Sequence, residues 1–226
     1  MADRLLLTLG VLGGTGKEGM GLAYRWARAG YPILIGSRSL EKAQAAAADL
    51  NQRLGETIVR GLLNAEAASS CDIAILTVPY RAHRATLEGL RQALQDKILV
   101  DVTNPVQPPR IEEVFVPEAG SAAQEAQHIL GDQVQVVSAF QNISHELLMG
   151  ETALECDVLV TGNSQPAREQ VIELVRAISL EGWDAGSLKN AIVAEGLTSV
   201  LIGINRRYGL KAAGVRITGG SSSGRG

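Results

Sequence analysis

The sequence predicts an α/β fold, a Rossmann-type doubly wound and mostly parallel sheet with a smaller C-terminal α/β extension. Three observations predict it. A glycine-rich stretch, Gly10-Val-Leu-Gly-Gly-Thr-Gly-Lys-Glu-Gly19, joins an apolar run over Leu5 to Leu9 to a helical pattern of Met20, Leu22, Ala23, Trp26 and Ala27. Apolar runs of strand length then alternate with amphipathic helical segments, the pattern of βα units. The run Asp72-Ile-Ala-Ile-Leu-Thr-Val78 is almost continuously apolar, as suits a central parallel strand covered on both faces.

The glycine stretch carries the chemistry. Gly14, Gly16 and Gly19 read as G-x-G-x-x-G between a strand and a helix. The first permits the tight turn, the second lets backbone approach a pyrophosphate, and the third lets the helix pack closely on the strand. The helix start then presents free N–H groups and the positive end of its dipole to an anion. This context points to dinucleotide binding.

The first helix is expected from Gly16 to Ala29, with Gly30 as its stop. Strand two, Pro32 to Ile35, ends at Gly36-Ser37-Arg38. An NAD-selective domain places Asp or Glu at this strand end for the ribose hydroxyls. Ser37 and Arg38 would instead donate hydrogen bonds to a 2′-phosphate, with Lys42 one turn into the next helix as a third contact, so NADP is favoured over NAD. Ser39 caps that helix, which runs to Leu54 before Gly55. A short strand at 57–59 and a short Ala-rich helix at 64–70 follow.

Pro79 stops the strand over 72–78, so Thr77, Val78 and Pro79 lie at a carboxyl strand end, where open α/β sheets bind ligands. A helix over 81–94 leads to strand 98–102, and Thr103-Asn104-Pro105 occupies the next such end. Asn104 is a candidate partner for the nicotinamide end, or a turn residue pinned by Pro105. Residues 105–120 form the longest loop. Ser121 to Gln124 is a capping-box pattern opening a helix to Leu130, and strand six spans 133–137. The remainder reads as a strand at 156–161, a helix at 165–178, a short strand at 181–185 and a long helix at 187–208. The expected organisation is therefore a dinucleotide-binding domain over 1–140, a smaller unit over 141–218 that closes the cleft, and a Gly/Ser-rich tail over 219–226.

The chain has 226 residues, a net charge of −3 and 46% hydrophobic residues, of which few are aromatic. The charge argues against a nucleic-acid or anionic-membrane surface. No apolar stretch is long enough to span a bilayer, and Leu5 to Leu9 is too short for a secretory h-region. Cys71 and Cys156 are far apart and read as reduced thiols of a cytoplasmic protein. No metal-ligand spacing and no nucleophile elbow is present, so no metal and no catalytic side chain is expected. His83 and His128 fall on helices and read as surface or boundary residues, whereas His145 follows the sixth strand and is a candidate ligand contact. Arg206 and Arg207 read as a charge pair favoured by a helix C-terminus. The broad apolar stripe of the last helix, with Ile192, Leu197, Val200, Leu201 and Ile204, suits closure over a cleft or a homodimer.

Taken together, residues 13–19, Gly36-Ser37-Arg38 with Lys42, Thr77-Val78-Pro79, Val137-Ser138-Ala139 and Asp184-Ala185-Gly186 before the long final helix resemble the NADPH-dependent reductases of the deazaflavin coenzyme F420. The resemblance spans about residues 5–218. It implies that Thr15, Gly16, Lys17 and Glu18 hold the NADP pyrophosphate and that Ser37, Arg38 and Lys42 hold the 2′-phosphate. Val78 and Asn104 match positions around the nicotinamide. The segment 139–145, with Ala139, Gln141, Ile143 and His145, and the loop 212–214, with Ala213, match walls of the deazaflavin site. Family members commonly carry His at the position of Gln141, so the pair Gln141-Asn142 departs from the pattern beside the hydride acceptor. The expected activity is direct hydride transfer between NADP(H) and F420. The alternatives are an NADPH-dependent reductase of a flavin, quinone or ferric complex, which the similar plan of the cytosolic part of membrane ferric reductases keeps open, and a non-catalytic NADPH-binding sensor.

Overall fold

The structure, a computed structural model, describes residues 7–150 and 154–219; Leu5 and Leu6 of the first apolar run, and all of the expected tail but Gly219, lie outside them. In chain order the elements are β1 (Leu9–Leu12), α1 (Lys17–Arg28), β2 (Ile33–Ser37), α2 (Leu40–Leu54), β3 (Val59–Leu63), α3 (Asn64–Ser70), β4 (Ile73–Leu76), α4 (Tyr80–Leu90), β5 (Ile98–Asp101), α5 (Ala122–Leu130), β6 (Gln135–Ser138), α6 (His145–Leu148), β7 (Asp157–Gly162), α7 (Gln165–Ala177), β8 (Glu181–Asp184) and α8 (Ala191–Tyr208), the last preceded by a 3-10 turn at Leu188–Asn190.

One sheet of order β3-β2-β1-β4-β5-β6-β7-β8 runs through the molecule. The strands are parallel except where β7 meets β6 antiparallel. Because successive side chains of a strand point to opposite faces, the continuous apolar runs feed two cores. Leu9, Val11, Ile33, Ile35, Ile73 and Ile75 pack on one face beneath α1, α2 and α7. Leu12, Leu34, Ala74 and Leu76 pack on the other beneath α3, α4 and α5. Trp26 anchors the first core: its ring meets Phe140 edge-on at 5.4 Å and its indole N–H donates to the Leu174 carbonyl at 2.9 Å. The strand order reverses between β1 and β4, and the cleft opens at that switch point.

Several expectations shift. The strand expected at 57–59 is β3, which pairs as far as Ser37 with Leu63. It is an edge strand, and Arg60 and Gly61 interrupt its apolar pattern; Gly61 is needed because a Cβ there would collide with the Ala43 backbone of α2. The α4 helix ends at Leu90 rather than Leu94, and the first turn of the helix expected at 187–208 is the 3-10 turn. The two C-terminal strands, β7 and β8, extend the sheet to eight strands. His83 is a correction. It is neither surface nor boundary but fully buried, because its Nε2 lies 2.8 Å from Asp101 Oδ2 at the end of β5. His128 is exposed.

Candidate functional site

The glycine loop leaves β1 and enters α1 at the switch point. Gly14 sits where a Cβ would be 2.6 Å from the Val11 carbonyl oxygen, and at Gly19 it would be 2.7 Å from both the Gly14 Cα and Thr77 Oγ1. These two positions are closed to larger residues by backbone packing. Gly16 differs, since a Cβ there would meet only the Gly13 carbonyl oxygen, at 3.9 Å, and the space beside it is open. Helices α2, α5 and α7 are capped by the side chains of Ser39, Ser121 and Ser164, but α1 begins at Gly16 with no side-chain cap. Its first N–H groups are thus left for an external acceptor.

They line a cavity of about 730 Å³ that gathers Thr15, Gly16, Lys17, Glu18, Ser37, Arg38, Lys42, Thr77, Val78, Pro79 and Asn104. The cations Arg38 and Lys42 stand at its β2 end and are exposed; Arg81 joins the lining from α4. Gly14 is buried in the turn behind the cavity rather than lining it.

A second cavity, about 280 Å³, adjoins the first and gathers Gln141, Ile143, His145 and Ala213. Glu18, Asn104, Thr198 and Ile202 line both. Ala139 lines neither and is fully buried one step behind the second cavity. Phe140 takes a positive φ of 73°, and its ring is held against Trp26, which fixes where residues 141–146 begin. A groove of about 840 Å³ between α4, α5 and residues 117–119 is larger, but it contains none of the sequence-derived candidates.

The wall between the two cavities is cross-linked. Thr198 Oγ1 lies 2.7 Å from Asn104 Oδ1 and 2.9 Å from the Gln141 carbonyl oxygen, to which Asn104 Nδ2 also donates at 3.3 Å. Gln141 Nε2 donates to the Asp101 carbonyl at 2.7 Å. Among the described residues nothing pairs with the buried Gln141 Oε1 and Asn142 Nδ2, two polar atoms beside the second cavity that a polar ligand would satisfy. Among charged groups, burial pushes the Glu18 carboxyl up to about 8. Burial also lifts Glu195 to about 8, against the N–H groups of Ala122 and Ala123 that donate to it at 2.7 and 3.1 Å.

Sequence reasoning missed Asn64, Arg81, Thr198 and Ile202. Asn64 Oδ1 accepts the Gly13 N–H at 3.1 Å and so steadies the glycine loop from α3. Its signal is an Asn at a strand-to-helix junction. Thr198 and Ile202 sit one helical turn apart on α8, a spacing that marks a common face but not which face meets the cleft.

A doubly wound sheet with an uncapped helix at the glycine loop, a cation pair after β2 and a second polar cavity beyond the switch point defines a Rossmann-type oxidoreductase fold. Residues 8–105 match the family model described as NADP oxidoreductase, coenzyme F420-dependent. The F420-dependent NADP reductase of Methanocaldococcus jannaschii is 38% identical over 224 residues, covering 94% of this chain and 98% of that protein. The enzyme of the same name from Methanothermobacter thermautotrophicus is 37% identical, with 96% and 97% covered. A solved structure of a candidate F420-dependent NADP-reductase from Arthrobacter sp. FB24 superposes with a TM-score of 0.80 at 24% identity, covering 94% of this chain and all of that one, and shares the fold. The chain belongs to the family of F420-dependent NADP reductases.

Proposed function

We propose that the protein transfers a hydride between NADP(H) and coenzyme F420, with the dinucleotide in the larger cavity and the deazaflavin in the smaller. The observation that carries this reading is the wall the two cavities share at Glu18, Asn104, Thr198 and Ile202, which sets two ligands side by side. The two coenzymes carry the hydride chemistry themselves, so the protein's task is to bind, orient and exclude water. In this reading the free N–H groups at the start of α1, with Thr15, Gly16 and Lys17, hold the pyrophosphate. Ser37, Arg38 and Lys42 hold the 2′-phosphate; Thr77, Val78, Pro79 and Asn104 hold the nicotinamide end. Gln141, Ile143, His145 and Ala213 line the deazaflavin, with Ala139 setting their backbone from behind.

In this reading residues 141–218 act as the closing unit, supported by α8 and residues 141–146 supplying most of the second cavity's lining. The exposed Ile192, Val193 and Val200 on α8 support a homodimer, to be read by light scattering. A cytoplasmic location belongs to the same reading; no helix among the described residues is long and apolar enough to cross a membrane.

The test is to mix the purified protein with NADPH and F420 and follow the deazaflavin absorbance. Rapid bleaching with NADPH and little with NADH supports the assignment. Tight NADPH binding with an unchanged F420 spectrum points to a different acceptor at Gln141-Asn142.

A further inference from the structure

Glu18 is a half-buried acid in the first turn of α1, and it lines both cavities. Among the described residues no hydrogen bond or ion pair reaches its carboxyl, and burial alone sets its acidity. The ionisable groups around it are Lys17 beside it on α1, Arg38, Lys42, Tyr80 and Arg81 along the larger cavity, and His145, Glu146 and Lys211 along the smaller. None of them offsets the burial.

The inference rests on the dinucleotide occupying the larger cavity. A bound pyrophosphate brings two negative charges to the helix start and takes up the N–H groups that would otherwise favour an ionised Glu18. A carboxylate there can only accept hydrogen bonds and repels the phosphates; the neutral acid offers an O–H donor to them. We propose that Glu18 meets the dinucleotide as a neutral acid, so that NADP(H) binding at alkaline pH draws a proton from solvent onto this side chain. Affinity then falls as pH rises through the titration of free Glu18, because the unliganded protein must first be protonated. Its ordinary value is 4.5, and burial places it at about 8, so the effect lies on the alkaline side of neutrality.

The experiment is calorimetric titration of the full chain with NADP+ at about pH 8.5, in two buffers of different ionisation enthalpy, where linkage predicts uptake of roughly three-quarters of a proton per NADP+. The 2′-phosphate is fully ionised at that pH and contributes none. Glu18→Gln, which keeps the side-chain volume, is expected to lose the uptake, and to bind NADP+ several-fold more tightly than the parent at that pH. An unchanged thermal midpoint for Glu18→Gln at mildly acidic pH shows that the fold is intact. Binding of NADP+ with no proton uptake by the parent protein, or uptake that persists in Glu18→Gln, overturns the proposal while leaving the cofactor assignment in place. No NADP+ binding by the parent at any pH overturns the cofactor assignment and this inference with it.

Discussion

His83 Nε2 and Asp101 Oδ2 lie 2.8 Å apart with neither side chain accessible to solvent. The pair joins α4 to the carboxyl end of β5, immediately before Thr103 and Asn104. Asp101 works at three points: Oδ2 meets His83, Oδ1 accepts the Thr103 N–H at 3.0 Å, and its carbonyl accepts Gln141 Nε2. Replacing His83 by Leu leaves a buried carboxylate without its partner. The expected loss is about 3–5 kcal/mol of stability in urea unfolding. Preserved stability would show that Asp101 has another source of compensation.

The same region makes stability depend on pH. Burial lifts Glu195 to about 8 from its ordinary 4.5, and the nearby Asp101 adds to this. Between those values the folded protein keeps a proton that the unfolded chain has released, so stability falls as pH rises across that window. His83 acts in the same sense. Burial pulls its imidazolium down, but the charge and hydrogen bond of Asp101, with Glu125 and Glu195, hold it above its ordinary value. Its contribution is present at acidic pH and is lost as pH rises through the folded value. The thermal midpoint should therefore fall from about pH 5 to about pH 8, as the unfolding free energy drops by at most ~1.4 kcal/mol per pH unit per group. Glu195→Gln should flatten that slope while losing about 1–3 kcal/mol at acidic pH, because an amide serves only one of the two N–H donors.

Arg38 stands exposed at the β2 end of the larger cavity. Arg38→Ala should weaken NADPH binding by about 1.5–3 kcal/mol, the scale of a hydrogen bond to a charged group, and leave NADH nearly unaffected. Calorimetry with both coenzymes measures it. Equal losses for the two would remove Ser37 and Arg38 as the element that selects the 2′-phosphate.

Arg25 ties α1 to the end of α6 and the residues just after it. Its guanidinium donates to the carbonyls of Leu147, Leu148 and Gly150, each at 2.8 Å. Arg25→Met keeps the apolar stem and frees these carbonyls, at an expected cost of about 1–3 kcal/mol. Residues 141–146 adjoin this anchor, so the KM for F420 should rise several-fold more than the KM for NADPH. Parallel changes in both constants would mean that the anchor supports α1 instead.

The parts of the site that lie close together along the chain are legible in the sequence. The glycine loop, Ser37-Arg38 and the segments after β4 and β5 at Thr77 and Asn104 follow from local rules: a turn that only glycine can make, a strand that ends a few residues before a proline, a helix that starts at serine. What is not legible depends on distant chain. His83 sits at a helical position where one imidazole looks like any other polar residue, until β5 brings Asp101 beneath it. Asn64 acts on Gly13 across two strands. Thr198 reaches Asn104 from 94 residues away. The two C-terminal strands read as strands, but nothing in their sequence states that β7 enters the sheet antiparallel beside β6.

The antiparallel entry of β7 has an evolutionary corollary. All but two of the residues lining the larger cavity lie between Gly13 and Pro108, whereas the smaller one is lined largely by residues after β6. With the two coenzymes assigned to the two cavities as proposed, the chain stores its two recognition tasks in successive blocks of its coding sequence, joined at a wall to which α8 contributes Thr198 and Ile202. Mutations that retune what the second block accepts can accumulate while the first block is inherited intact, and a lineage can change its reaction partner without relearning how to hold its nucleotide.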